Sequence, residues 1–216
     1  MRDDTGPTVS AATADPGGRA PLVTISAAWG TGGSWIAPRV ADELGVSFVD
    51  RALTREIAHE VAEPLRTAGA ERRPLGAALS RALHELTHPR AAETSDAGQV
   101  EVDRALLSTL VDGGGVVLGR AGAVILQDQQ RALHVRLIGR DDQRIAQGMA
   151  VERVDEPTAR WRLASGDVAR DVYVQHFHQV DPQDPWLYHL TIDSTRLPLP
   201  VCVQTIAAAA RARLTA

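Results

Sequence analysis

The sequence predicts a three-layer α/β fold built on a parallel sheet of five strands. The first observation is an apolar, β-branched run, Val23–Ala27, that passes through a glycine-rich turn into a segment with apolar residues at helical spacing, Ser34–Leu44. The second is that short apolar runs then alternate with helical segments, which is the pattern of βαβ units. The third is size, because 216 residues suffice for one such domain with a substantial core.

The composition is that of a soluble globular protein, with 44% hydrophobic and 23% charged residues. The formal charge of −4 argues against a broad nucleic-acid-binding face. Cys202 is the only cysteine, which excludes an intrachain disulfide framework and a cysteine-based zinc site. No run approaches the ~18 apolar residues of a membrane span, and the N-terminus lacks the apolar stretch of a signal peptide. We therefore expect a cytoplasmic protein without nucleic-acid or membrane partners, and the oligomeric state, a homodimer included, stays open.

The glycine-rich turn is the strongest candidate site in the sequence. Its glycines allow the backbone to direct N–H groups inward, and the following helix adds unpaired donors and the positive end of its dipole. Such a loop binds anions, above all phosphate, although a plain tight turn after a buried strand explains the same pattern. The predicted phosphate-binding residues are Gly30, Thr31, Gly32, Gly33 and Ser34.

The loop departs from the P-loop pattern G-x-x-x-x-G-K-[ST] at two of its four defined positions. Alignment places Ala27 at the first glycine, Gly33 at the lysine and Ser34 at the hydroxyl position. All 23 basic residues are arginine, so a cation at a transferred phosphate has to be an arginine.

The first part of the chain contains a tail, one helix and a second strand. Residues 1–20 lack periodicity and predict a disordered tail, whereas residues 21–216 form the folded domain. Gly45 is a good stop for the first helix, and Val46–Val49 predicts a short strand. Asp50 follows at the strand end, where it either acts on a metal or substrate or caps the next helix.

Residues 63–99 interrupt the strand–helix alternation, and an insertion of this kind often supplies a substrate-binding flap. They contain His84-Glu85-Leu-Thr-His88, which reads as the zinc-protease motif H-E-x-x-H. Pro89 follows at once and ends the helix that a zinc site needs. We therefore interpret His84 and His88 as a solvated helix edge.

The alternation returns after residue 100 with three further strands, Val116–Gly119, Ala132–Ile138 and Tyr188–Ile192, and a closing helix over Val201–Leu214. Arg120 follows the first of these strands, where it either grips a phosphate or pairs with a structural carboxylate. The alternating pattern of the Ala132–Ile138 strand predicts that it is less buried than its neighbours. An arginine-rich helical region lies between the last two strands, and its arginines read most simply as a solvated face.

The sequence resembles the cytidylate kinase-like family of P-loop nucleotide kinases, from about Leu22 to Ala209. Several separated segments carry the resemblance in the right order: Thr24–Ser26 with Gly30–Gly33, Phe48–Asp50 with Leu53 and Glu56–Ala58, Val116–Arg120, Asp167-x-x-Arg170 with Tyr173, Asp184–Tyr188, and Asp193–Leu197. The family's own loop, I-S-R-E-x-G-S-G-G, also lacks the usual lysine.

The resemblance implies a P-loop core with strand order 2-3-1-4-5, a monophosphate-binding flap over about residues 51–99 and a lid over about residues 140–178. It implies Mg²⁺-assisted phosphoryl transfer from ATP to a nucleoside monophosphate, with nucleotides as partners. In this hypothesis Ser34 ligates Mg²⁺, Asp50 and Arg120 bind the acceptor, and the lid supplies the catalytic group Arg144, Arg160, Asp167 and Arg170.

Departures from the family pattern favour a second hypothesis. The family loop carries an arginine and an acidic residue where this chain has Ala27 and Ala28, and Gln175 replaces a basic lid residue. Each loss weakens the case for efficient transfer. The alternative is a non-catalytic nucleotide-binding or regulatory protein with a degenerate P-loop.

Overall fold

The computed structural model describes residues 20–51, 110–111, 113–119 and 121–214. Several predicted features lie wholly or mainly outside these residues: the N-terminal tail 1–20, the flap 51–99 with its H-E-x-x-H segment, and Arg120.

The sheet contains five parallel strands, as the sequence predicts. They are β1 (Leu22–Ala27), β2 (Phe48–Arg51), β3 (Gly115–Gly119), β4 (Ala132–Ile138) and β5 (Leu190–Asp193). Their order is β2-β3-β1-β4-β5, which confirms the predicted 2-3-1-4-5 topology. In register, Ile25 of β1 lies between Leu118 of β3 and Val135 of β4, so the central strand has a buried neighbour on each side.

Five α-helices lie within the described residues: α1 (Gly33–Leu44), α2 (Gly122–Ile125), α3 (Asp141–Glu152), α4 (Glu156–His178) and α5 (Leu199–Leu214). A 3₁₀ turn over Pro185–Leu187 precedes β5. Gly45 ends α1, as predicted, and its N–H donates to the carbonyl oxygen of Asp42 at 3.2 Å. None of the described helices is long and apolar enough to cross a bilayer.

The main core lies on the face of the sheet that α1 and α5 cover. Successive strand side chains point to opposite faces, so alternate residues such as Val23, Ile25 and Val135 all reach this layer. Ile36 of α1 and Ile206 of α5 pack against them and are fully buried. This packing fixes the start of α1 against the carboxyl end of β1.

The opposite face carries a second apolar cluster and a buried polar pair. Leu22, Val117 and Leu126 belong to the cluster. Between them, Thr24 Oγ1 lies 2.8 Å from Nδ1 of His134, which is only 3% exposed. β4 is thus buried on both faces, so the prediction that it is less buried than its neighbours is wrong, because it is an interior strand between β1 and β5.

His134 is held in its neutral form by its surroundings. Burial, together with the nearby charges of His189 and Arg213, lowers the pKa of His134 from 6.5 to about 4. The two imidazole rings stack at 4.9 Å, and the backbone N–H of His134 donates to Nδ1 of His189 at 2.9 Å. Protonation of His134 therefore opposes folding.

Candidate functional site

The glycine-rich loop, residues 28–32, joins the carboxyl end of β1 to the first residue of α1. At Gly30 the backbone has φ +79°, and a Cβ would lie 2.2 Å from the carbonyl oxygen of Arg144. Both facts exclude a side chain, because the conformation is one that L-residues rarely adopt and the space is filled by the backbone of α3. Gly30 thus lets the loop touch α3 directly.

Gly33, at the position of the P-loop lysine, is excluded from carrying a side chain by packing. A Cβ there would lie 2.4 Å from Cβ of Ala27 and 3.2 Å from Cδ1 of Leu118. A lysine at this position would have to displace β1 or β3. The packing of the loop therefore leaves no room for the P-loop lysine at this position.

The loop presents a set of main-chain donors at the N-terminus of α1. The N–H groups of Gly30, Gly32, Gly33 and Ser34 donate no hydrogen bond to any residue that the structure describes. Gly32 caps the helix in a left-handed conformation without a side-chain cap, and Ser34 in the first turn is exposed. Unpaired amides at a helix N-terminus attract anions, since they add hydrogen bonds to the favourable helix dipole.

The carbonyl groups of the loop and of Ala27, the residue before it, by contrast accept hydrogen bonds from side chains in distant parts of the chain. Arg170 donates to Ala27 O at 2.6 Å, and Arg144 Nε donates to Trp29 O at 2.7 Å. The Gln147 side-chain amide donates to Gly30 O at 3.1 Å, and the Ser194 hydroxyl donates to Thr31 O at 2.8 Å. Thr31 itself caps Ala28 O through both its N–H and its hydroxyl.

Asp167 of α4 joins the two arginines to the loop. Its carboxylate pairs with Nη2 of Arg144, lies 3.3 Å from Nη2 of Arg170, and accepts the N–H of Trp29 at 3.2 Å. The side chain of Arg144 is 7% exposed and that of Asp167 24%. A partly buried charge network therefore fixes the loop between α3 and α4.

The indole of Trp29 adds a second attachment of the loop to α3. A Cβ on Gly148 would lie 2.3 Å from Cη2 of Trp29, so the ring contacts α3 at a position where only glycine leaves room. The buried Nε1 of Trp29 has no hydrogen-bond partner among the described residues. The indole therefore contributes packing to this attachment.

The other predicted site residues lie outside this network. Arg160 is exposed and pairs with Glu156 one turn earlier in α4, at 2.6 Å. Asp50 is exposed near the carboxyl end of β2, in register with Leu118. Arg120 lies outside the described residues. The structure therefore brings together Arg144, Asp167, Arg170 and the loop, and it leaves the predicted acceptor residues untested.

A small cavity lies between α2 and the carboxyl-terminal parts of β1 and β3. Its volume is about 20 Å³, which holds about one water molecule. Ser26, Gly119, Arg170, Val174 and Tyr188 are among its lining residues. The guanidinium of Arg170 thus reaches both a loop carbonyl and a cavity that adjoins the segment before Arg120.

No group of three or more His, Cys, Asp or Glu side chains suited to a metal is found within the described ranges. The Ser34 hydroxyl, which is the predicted metal ligand, lies exposed in the first turn of α1.

Sequence reasoning missed Gln147 and Ser194. Ser194 lies in the Asp193–Leu197 segment that carried the resemblance, but nothing in its sequence context marks a role, because its partner is 163 residues away. Gln147 is an ordinary helix residue without any distinguishing signal.

Comparison with known proteins agrees with the topology. The model of the cytidylate kinase-like family matches residues 22–196, and a comparison with curated protein sequences gives no match. Among solved structures, an uncharacterized protein from Eubacterium ventriosum is 18% identical with a TM-score of 0.61, covering 90% of this chain and 99% of its own.

Two named kinases are more distant. A gluconokinase from Sinorhizobium meliloti is 17% identical with a TM-score of 0.48, covering 91% of this chain and 94% of its own. A shikimate kinase from Acinetobacter baumannii, in complex with shikimate, is 15% identical with a TM-score of 0.44, covering 88% of this chain and 92% of its own. These likenesses concern the fold alone.

The family match spans most of the chain and includes the loop, all five strands and the α3–α4 pair. It supports phosphotransfer chemistry in general. With its parallel sheet in the order β2-β3-β1-β4-β5 and a phosphate-loop-like turn after β1, this chain belongs to the cytidylate kinase-like family.

Proposed function

We propose that this protein transfers the terminal phosphoryl group of ATP, with Mg²⁺, to a nucleoside monophosphate. The proposal depends on the glycine-rich loop of this member of a kinase-like family. Its main-chain N–H groups at Gly30, Gly32, Gly33 and Ser34 have no acceptor among the residues that the structure describes. In the reaction the bond between the terminal phosphorus and its bridging oxygen breaks, and a bond to an acceptor phosphate oxygen forms. The products are ADP and a nucleoside diphosphate.

The loop amides would bind the donor phosphates, and the Ser34 hydroxyl would supply a ligand to Mg²⁺. The donor set fits this role, because Mg²⁺ in such sites keeps several waters and is held by few protein oxygens plus substrate phosphates. When bound, the ion neutralises charge on the phosphates. The protein contributes mainly position and electrostatic stabilisation, since phosphoryl transfer needs little covalent participation.

Arginines would supply the charge that lysine supplies in ordinary P-loops. Arg170 is the best placed, because it lines the cavity at the carboxyl ends of the strands. It would exchange its bond to Ala27 O for the transferred phosphate, with Asp167 orienting it. Arg144 and Arg160 would be the other two arginines of the lid that neutralise charge on the phosphates. Arg120 and Asp50 would bind the acceptor.

The decisive experiment is Arg170→Ala in a coupled ADP-release assay with a panel of nucleoside monophosphates. Loss of a transition-state arginine costs about 10³–10⁵ in rate, so we expect near-complete loss of turnover. Arg211→Ala is the matched control, because Arg211 is a partly exposed arginine that pairs with Glu43 at the far end of α1. Circular dichroism and the melting temperature check that both variants fold. An unchanged rate in Arg170→Ala would remove this arginine from the mechanism.

One observation favours a second candidate, a non-catalytic nucleotide-binding protein. The guanidinium groups of Arg144 and Arg170 are both engaged with loop carbonyls and Asp167, and packing at Gly33 excludes a lysine. Binding of ATP·Mg²⁺ by the wild-type protein without ADP release for any monophosphate would decide for this candidate. Turnover of any one monophosphate would decide against it.

A further inference from the structure

Ser194 links the phosphate-binding loop to the far edge of the sheet. It follows β5 directly, and it is fully buried, as is Thr31. Its backbone N–H donates to Ile138 O at 3.2 Å, and its hydroxyl donates to Thr31 O at 2.8 Å. The serine is thus anchored at the end of β4 and reaches one loop carbonyl from that fixed point.

The carbonyl that Ser194 holds belongs to the same peptide unit as the Gly32 N–H. A trans peptide is planar, and its C=O and N–H point in opposite directions. The bond to Thr31 O therefore fixes the direction of the Gly32 N–H. This amide is one of those without an acceptor in the described part of the chain.

A second side chain acts in the same way on the preceding peptide. Gln147 donates to Gly30 O at 3.1 Å, which orients the N–H of Thr31. That N–H is already bonded to Ala28 O at 3.2 Å. The contribution of Gln147 to the free amides is therefore indirect, and we expect its effect to be smaller than that of Ser194.

We propose that Ser194 is a positioning residue that aims the Gly32 amide at the donor polyphosphate, with Gln147 supporting the neighbouring peptide. The inference rests on the proposed function for its choice of ligand. It explains how a loop without lysine becomes a rigid anion site: hydrogen-bond donors outside the loop hold its carbonyls outward, so its amides face the ligand at no further ordering cost.

The test is the binding of inorganic tripolyphosphate and of ATP, each with Mg²⁺, measured by isothermal titration calorimetry well below the melting temperature. Ser194→Ala should weaken both by about 5- to 20-fold, because one hydrogen bond to a charged group becomes misdirected. The KM for ATP should rise by a similar factor, while the KM for the acceptor should stay within twofold. Ser194→Thr, which keeps the hydroxyl, should restore most of the affinity.

Ser165→Ala is the matched control. Ser165 is also a buried serine whose hydroxyl donates to a carbonyl at 2.8 Å, that of Trp161 within α4. Because alanine is well tolerated inside a helix, Ser165→Ala should fold and leave tripolyphosphate affinity within twofold. If Ser194→Ala fails to fold, Gln147→Leu at a half-buried position provides a second variant, with an expected loss of about 2- to 4-fold.

The outcomes separate this inference from the proposed function. Wild-type turnover together with unchanged polyphosphate binding in both Ser194→Ala and Gln147→Leu would overturn the inference and leave the kinase proposal standing. Tight, Ser194-dependent tripolyphosphate binding without turnover would support the inference and contradict the kinase proposal. A wild-type protein that binds no tripolyphosphate would overturn both.

Discussion

Replacement of Asp167 by asparagine should destabilise the protein strongly, because this carboxylate is the shared partner of two arginines and a loop amide. Asparagine removes the negative charge that the two guanidinium groups neutralise. Its NH₂ group also cannot accept a hydrogen bond from the surrounding N–H donors. Breaking one partner of a buried ion pair costs about 3–5 kcal/mol. Because the Asp167 side chain is 24% exposed, solvent recovers part of this, and we expect about 2–4 kcal/mol.

The assay is thermal unfolding without nucleotide, followed by circular dichroism. For a chain of this length each kcal/mol lowers the melting temperature by about 2–4 °C, so Asp167→Asn should melt about 5–15 °C below wild type. Glu156→Gln is the matched control in the same helix, since its pair with Arg160 is exposed on both sides. Exposed pairs contribute about 0–1 kcal/mol, and this variant should melt within about 3 °C of wild type.

A double-mutant cycle tests the cause of the destabilisation. Arg144→Met keeps the aliphatic stem and removes the charge that Asp167 neutralises. The double variant should lose about 1–3 kcal/mol less than the sum of the single variants, because the buried guanidinium that the asparagine leaves unpaired is then absent. Additive losses, or an Asp167→Asn protein as stable as Glu156→Gln, would refute the reasoning.

Three further predictions concern two glycines of the phosphate-binding region and the buried His134. Gly30→Ala should lower stability by more than about 2 kcal/mol, since its Cβ meets the Arg144 carbonyl at 2.2 Å; a melting temperature within about 2 °C of wild type contradicts this. Gly33→Lys restores the lysine of the P-loop sequence pattern, but the Cβ of the new side chain would overlap that of Ala27. Calorimetry should therefore find no gain in ATP affinity, and the variant should unfold at a lower temperature than wild type. Stability should fall as the pH drops from about 6.5 towards 4, because the unfolded chain takes up a proton that the buried His134 resists. The loss should reach up to about 3 kcal/mol. In His134→Gln the free energy of unfolding, measured with urea, should depend less on pH across that range; the same pH dependence as in the wild type would rule out this histidine.

The features that the sequence predicted correctly are those with local causes. β4 begins and ends at the predicted residues, Ala132 and Ile138. Gly45 ends α1 because a glycine after an amphipathic helix is a local stop signal. The order of the strands followed from the resemblance, and the structure confirms it.

The errors and omissions have non-local causes. The alternating pattern made β4 look half-exposed, but the polar ring of His134 is buried. It lies beside the Thr24 hydroxyl and stacks on His189, which directly precedes β5. The lid arginines were predicted from the family resemblance, because the arginine-rich pattern by itself indicates a solvated face. Their observed partners, the loop carbonyls and Asp167, follow only from the three-dimensional packing of α3 and α4. The roles of Arg160, Asp50 and Arg120 stay predictions.

The bonds that shape the loop connect parts of the chain that are far apart in sequence. Arg170 lies 143 residues from Ala27, and Ser194 lies 163 residues from Thr31. During synthesis the loop therefore emerges well before its last donor, which follows 163 residues later. Contacts of such long sequence separation form late in folding because chain closure has to precede them. A nascent chain that stops before β5 therefore carries the glycines of the loop but lacks the serine that fixes the Thr31 carbonyl.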